Sequence, residues 1–203
     1  LKEGFDGMIK RAEAGLAGLD RKDPDFAVKR EFYEAVIICH KAAREYIGRY
    51  EKLARSKAAD ENDIKRKNEL LAMADNCRQI AGGPAKSFWQ ALQLFNFATT
   101  LTQVESNGHS ISYGRMDQWL YPYYRKDIDE GNISKDFAQE LLEVVFVKMN
   151  NPTKVRDGGT AKVRQGRGFG GECLTIGGSD KDGNDLTNDL TMMMLEASVH
   201  TRM

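Results

Sequence analysis

The 203-residue chain has little of what marks several whole classes of protein. It has three cysteines, Cys39, Cys77 and Cys173, an odd number at long spacings with no CxxC pair. That excludes a disulfide framework or a cysteine-based zinc site and fits reduced thiols. It has three histidines, His40, His109 and His200, too scattered to suggest a metal centre, so no metal is expected. It has no excess of either charge: 30 Lys and Arg offset 30 Asp and Glu, which argues against a nucleic-acid binder. No apolar run approaches the roughly 18 residues of a membrane span, and no basic-then-apolar leader opens the chain, so a cytoplasmic protein is expected. No repeat, low-complexity tract or clear linker divides it.

Apolar residues, at 41%, are enough for a sizeable core. The first half reads as helices. Residues 1–18 form a short, glycine-interrupted one. Asp23-Pro24-Asp25 is a helix start: Asp23 can cap, Pro24 suits the first turn and Asp25 favours the positive end of the dipole. The following run, to about Arg55, places Phe26, Val36, Ile37, Cys39, Tyr46, Ile47, Tyr50 and Leu53 at mostly helical spacing. Ser56 to Asn62 is a connector, and Asn62 or Asp63 can cap a helix carrying Ile64, Leu70, Leu71, Met73, Cys77 and Ile80. Ala81-Gly82-Gly83-Pro84 breaks it. The next helix, from near Ala85 to Val104, is apolar on nearly every face, the mark of a helix buried inside something larger. Because the chain opens within one helix-like stretch and stops within another, it is expected to be an internal piece of a longer protein, truncated at both ends.

The second half is mixed. Glu105 to Tyr113 is a loop or short strand. Gly114 to Asp129 is aromatic-rich and helical at its ends, with Pro122 near a bend. Gly131-Asn132 is a turn, and Ser134 caps a helix through about Asn150. Arg156 to Gly171 is glycine-rich and basic and reads as a long loop. Glu172 to Gly177 alternates as a strand. Thr187 or Asn188 can cap a last helix, in which Met192-Met193-Met194 is most simply core packing.

Two motifs invite functional readings that their chemistry does not support. Gly166-Arg167-Gly168-Phe169-Gly170-Gly171 lacks the preceding strand and following helix that a phosphate-binding loop needs. Asp180-Lys181-Asp182-Gly183-Asn184-Asp185 is dense in oxygen ligands, but position twelve is Thr191 where a calcium loop requires glutamate. A strand-to-helix turn is the better reading. The polar stretch from Glu105 to Arg115 is different. It follows the most buried helix and packs an acid, an amide, an imidazole, three serine hydroxyls and a guanidinium into eleven residues. Loops held by a buried scaffold are where substrate contacts concentrate, and its polar groups need partners. An internally hydrogen-bonded turn explains the composition equally well.

This stretch carries a resemblance. Asn68-Glu69-Leu70-Leu71, Ala85-Lys86-Ser87-Phe88-Trp89-Gln90-Ala91, Glu105-Ser106-Asn107-Gly108-His109-Ser110, Tyr113-Gly114-Arg115-Met116-Asp117-Gln118 and Leu120-Tyr121-Pro122-Tyr123-Tyr124 follow in the order of the glycyl radical enzymes. Leu174-Thr175-Ile176-Gly177-Gly178 and Asp182-Gly183-Asn184-Asp185 continue it. The chain thus resembles the pyruvate formate-lyase superfamily, over nearly all its length. The resemblance implies an α/β fold, this chain being a helix-rich piece (residues 1–203) of the α/β barrel of a larger domain. It implies radical chemistry in which a glycyl radical takes hydrogen from a cysteine and the resulting thiyl attacks substrate. Both of those residues lie outside this chain, so no catalytic residue is assigned here and the chain alone is expected to be inactive.

Asn107-Gly108-His109-Ser110 resembles the diol-dehydratase and choline trimethylamine-lyase branch, in which the matching His-Ser pair bonds substrate hydroxyls. His109 and Ser110 are therefore the implied substrate-binding residues. The implied reaction is elimination of water, an amine or sulfite from a small polar substrate. Tyr113 stands where glycerol-acting members carry proline, so glycerol is not singled out. The resemblance further implies no bound cofactor in this chain, an activating partner that uses S-adenosylmethionine and an iron–sulfur cluster, and a full-length protein that could form a homodimer. Formate acetyltransferase or decarboxylase chemistry is the alternative within the family. A non-catalytic helical scaffold is the alternative from another class.

Overall fold

A computed structural model describes residues 1–105, 111–150, 158–159, 162 and 173–202. The elements run α1 (Gly4–Ala17), α2 (Phe26–Ala59), α3 (Ile64–Ile80), α4 (Phe88–Glu105), β1 (Ser112–Arg115), α5 (Met116–Asp129), α6 (Lys135–Asn150), β2 (Cys173–Thr175) and α7 (Asp189–Thr201). The architecture is helix-rich α/β with one small parallel sheet. No described helix is long and apolar enough to cross a membrane. The chain divides into two compact units, Leu1–Ala85 and Lys86–Met203.

The first unit is three helices, with α2 packed against α1 and α3. Leu70, Ala74, Cys77 and Ile80 repeat at intervals of three and four along α3, the stripe that an α-helix turns to one side, and all are buried. Ala43, Ile47 and Ala58 are the buried residues of α2. This helix runs four residues past the expected Arg55 and is about 50 Å long at 1.5 Å per residue. The residues at helical spacing do lie on this helix, though Cys39, Tyr50 and Leu53 among them are exposed. Asp23 shapes the start by accepting from the Asp25 amide at 2.8 Å and pairing with Lys29 at 2.6 Å. Asp63 caps α3 through the Lys65 amide at 2.8 Å. The Gly82-Gly83 break lets α1 come against backbone. Gly4 sits at φ 65°, and a Cβ there would fall 2.4 Å from the Gly83 carbonyl carbon. The Asp6 amide donates to the Gly82 carbonyl at 2.9 Å.

In the second unit α4 packs on α5 and α6, and α7 packs on both α5 and α6. Edge-to-face ring pairs mark the joints: Phe88 with Tyr124 at 5.6 Å and Trp89 with Phe137 at 5.3 Å. Met116, Leu120 and Tyr124 form the buried stripe of α5. Pro122 lies inside this continuous helix rather than at a bend. Burial of the residues on either side holds the helix through the one hydrogen bond that proline cannot make. Of the three consecutive methionines in α7 only Met194 is buried, while Met192 is 59% exposed, so the run is not all core. The stripe that faces inward is Leu190, Met194 and Ala197. Ser134 caps α6 through the Phe137 amide at 3.1 Å, and Asn188 caps α7 in a reciprocal box with Thr191. Within 156–171, expected to be a loop, the described residues Gly158, Gly159 and Lys162 have helical backbone, and the rest lies outside the described residues.

Candidate functional site

The site is built on β1 and β2. Ser112 pairs with Cys173 and Arg115 with Thr175, in parallel, with an irregularity between. The Cys173 amide donates to the Ile111 carbonyl at 3.1 Å. The strands are parallel and joined through helices, so they enter the sheet from the same edge. Ser112 of the polar stretch and Cys173 of the expected Glu172–Gly177 strand therefore open the two strands at one edge of the pair.

What keeps that pair together is a carboxylate at the start of α5. Asp117 is fully buried. One of its oxygens accepts from the Gly177 amide at 2.7 Å and from the Thr191 hydroxyl. Gly177, at φ 61°, and Gly178, at φ 87°, turn the chain out of β2 in a backbone conformation that glycine adopts without strain. The Asp117 carbonyl is reached by the Asn188 amide group at 3.4 Å, Gln118 donates to the Leu186 carbonyl at 2.8 Å, and Arg115 donates to the Ser179 carbonyl at 3.2 Å. Asp117 and its neighbours thus fasten the exit of β2 and the start of α7 to the exit of β1. The other Asp117 oxygen is buried without a hydrogen-bond partner among the described residues.

Aromatic packing fixes β1 from its other side. Tyr113 meets Phe95 of α4 at 4.8 Å, Phe95 meets Trp119 of α5 at 5.5 Å, and the Trp119 indole N–H donates to the Tyr113 carbonyl at 3.2 Å. A second buried carboxylate, Asp127, holds α4: it accepts from the Phe88 amide at 2.7 Å, at the helix end where amides lack partners.

His109 and Ser110, the residues implied as substrate contacts, lie outside the described residues, as do Ser106 to Gly108. What is described is their frame, Glu105 at the end of α4 and Ile111 at the mouth of β1. The other two histidines have their own partners. His40 Nδ1 lies 2.7 Å from the Val36 carbonyl. His200 Nδ1 lies 2.6 Å from Glu143, whose hydrogen bond raises the histidine above its usual range and is itself the main reason Glu143 lies below the usual carboxylate range. Asp180 is consumed by its own turn, accepting from the Asp182 and Asn184 amides and the Asn184 side chain. No group of described residues is arranged to hold a metal ion. In the sequence, Arg115, Asp117 and Gln118 stand only as part of a motif, with nothing local to mark a role. An acid in the first turn of a helix is ordinary, and its partners are 60 and 74 residues away.

Comparison with known proteins gives this frame a context. The family described as pyruvate formate lyase-like matches residues 1–203. The chain is 62% identical over 200 residues to (2S)-3-sulfopropanediol dehydratase of Klebsiella oxytoca, covering 98% of this chain and 24% of that protein. It is 38% identical over 199 residues to isethionate sulfite-lyase of Oleidesulfovibrio alaskensis, covering 97% of this chain and 24% of that one. The glycerol-bound B12-independent glycerol dehydratase of Clostridium butyricum superposes with a TM-score of 0.90 at 40% identity, over 100% of this chain and 25% of that structure. The chain spans about a quarter of the length of each of these relatives.

Proposed function

The chain belongs to the pyruvate formate lyase-like family, and from that premise we propose that its parent protein is a glycyl radical lyase that eliminates water, an amine or sulfite from a small polar substrate. The observation that carries the reading is the 62% identity, along nearly the whole chain, to a relative named as a dehydratase of a sulfonated diol. That likeness favours a hydroxylated, sulfonate-bearing substrate and loss of water.

In this reading the chain is a piece of barrel wall that presents His109 and Ser110 to substrate. An imidazole and a hydroxyl can each donate and accept, so the pair can grip two hydroxyls, or a hydroxyl and its departing oxygen, in a fixed orientation. Orientation matters because the thiyl residue elsewhere in the parent must reach one hydrogen and no other, and misplacement by about 1 Å costs on the order of 10²-fold. The Asp117 clamp supports that alignment by fixing the strand that leaves the loop. The glycyl radical supplies the hydrogen-abstracting power, installed by an activating partner that uses S-adenosylmethionine and an iron–sulfur cluster.

The test is product analysis. The full-length enzyme, activated anaerobically by its partner, is offered (2S)-3-sulfopropanediol, isethionate and glycerol, with aldehyde and sulfite measured. Release of an aldehyde that retains its sulfonate from the first compound supports the reading. Absence of any elimination product, with the radical signal intact, refutes it.

A further inference from the structure

We propose that the cleft between α5, α6 and α7 is a socket for an organic cation, an alkylammonium or guanidinium group, a reading that does not rest on the elimination chemistry. The cleft encloses about 500 Å³, within the range of small-molecule sites. Its walls are acidic: Asp136, Glu140 and Glu143 come from α6, and Asp189 and Glu196 from α7. Against five carboxylates stand Lys135 and His200.

Acidity alone would be a solvated helix face. What makes this one a site is a shortage of donors in its buried part. Tyr124 lines the cleft and is fully buried, yet its hydroxyl has no hydrogen-bond partner among the described residues. Gln139 lines it too. Its side-chain nitrogen donates to Glu143 at 3.2 Å and to the Met193 carbonyl at 3.2 Å. Both neighbours are acceptors, so the amide orientation is fixed and the Gln139 oxygen is left buried without a donor. Buried polar atoms without partners are uncommon and destabilising. Here the two unpartnered atoms, the Gln139 amide oxygen and the Tyr124 phenol oxygen, can both accept, and they lie among carboxylates of which Glu143 already meets His200 and Asp189 meets Arg125 at 3.8 Å.

A ligand that satisfies such a set is positive and carries several N–H bonds. An anion is repelled, and a neutral polyol would leave the excess of carboxylates over Lys135 and His200 in place. A bare metal ion is disfavoured because the described acids and histidines are not grouped to ligate one. His200 shows the principle at the rim, where its Nδ1 lies 2.6 Å from Glu143 and its Nε2 lies 3.8 Å from Glu196. Burial, and then the charge of Asp189, push the Tyr124 hydroxyl up, which keeps it a neutral acceptor.

The cation can be a free amine or a lysine or arginine from the rest of the parent chain, and one experiment separates them. Crystals of the full-length enzyme are grown with and without 1,4-diaminobutane. A nitrogen of the diamine within hydrogen-bond reach of Tyr124 and Gln139 establishes a ligand site. A lysine or arginine nitrogen there without added amine establishes an internal socket. Either supports the proposal; water or neutral groups alone at both atoms, in both crystals, overturn it. If the diamine binds, Tyr124→Phe, which keeps the ring packing, and Glu196→Gln should each weaken binding by about tenfold in equilibrium dialysis, the effect of one charge-assisted hydrogen bond. Unchanged affinity in both variants also overturns it.

Discussion

Replacing Asp117 tests whether the β2 exit hangs on one carboxylate. In Asp117→Ala the Gly177 amide and the Thr191 hydroxyl lose their acceptor, and both are in buried residues. Hydrogen bonds to a charged group are each worth roughly 1.5–3 kcal/mol net, so the two together give about 3–6 kcal/mol. Asp117→Asn keeps an acceptor oxygen of the same shape and loses the charge, so about 1–2 kcal/mol is expected, between the neutral and charged cases. The loss should be local, because the bonds join one strand exit and one helix start. Hydrogen exchange by mass spectrometry on the full-length enzyme reads it as protection of residues 173–191. At 1.4 kcal/mol per factor of ten, the alanine variant should exchange there about 10²–10⁴-fold faster and the asparagine variant about tenfold faster. Equal acceleration by both would show that charge, not the placed acceptor, matters. No acceleration in the alanine variant would refute the clamp outright.

Asp127→Ala should strip the cap from α4 and cost about 1–2 kcal/mol, seen as faster exchange at Phe88 to Ala91 with residues 173–191 unaffected. The His200–Glu143 pair should give pH-dependent stability with two edges. His200 is raised above its ordinary 6.5, so its contribution is full below 6.5 and fades as pH rises through the raised value. Glu143 is lowered below 4.5, so its contribution is full above 4.5 and fades as pH falls through the lowered value. The pair therefore stabilises most between those two reference values. NMR titration of His200, shifting downward in Glu143→Gln, checks it, and an unshifted midpoint contradicts it.

How much of this was legible in the sequence follows from distance along the chain. Asp63, Ser134 and Asn188 were readable as caps because each bonds an amide two or three residues on. The Asp180 turn was readable for the same reason, with partners at two and four residues. Asp117 is silent in the sequence, because a first-turn acid looks alike whether it faces water or holds a strand exit 60 residues away. Asp127 was equally silent, since the helix it caps begins 39 residues earlier. β1 has four residues and β2 three, too short for alternation to fix a pairing. Pro122 suggested a bend because proline usually ends helices, and packing at Leu120 and Tyr124 overrode that preference. Of the substrate site, His109 and Ser110 are implied by the resemblance to the diol-dehydratase branch. The structure adds the frame on either side of them, Glu105 and Ile111.

The most direct measurement compares the activated full-length enzyme with its His109→Ala and Ser110→Ala variants, following the glycyl radical by EPR and elimination product by turnover. If the pair orients substrate, both variants keep the radical signal while kcat/KM falls by on the order of 10²-fold or more. Full turnover in both variants, with the same radical content as the parent, would contradict the account.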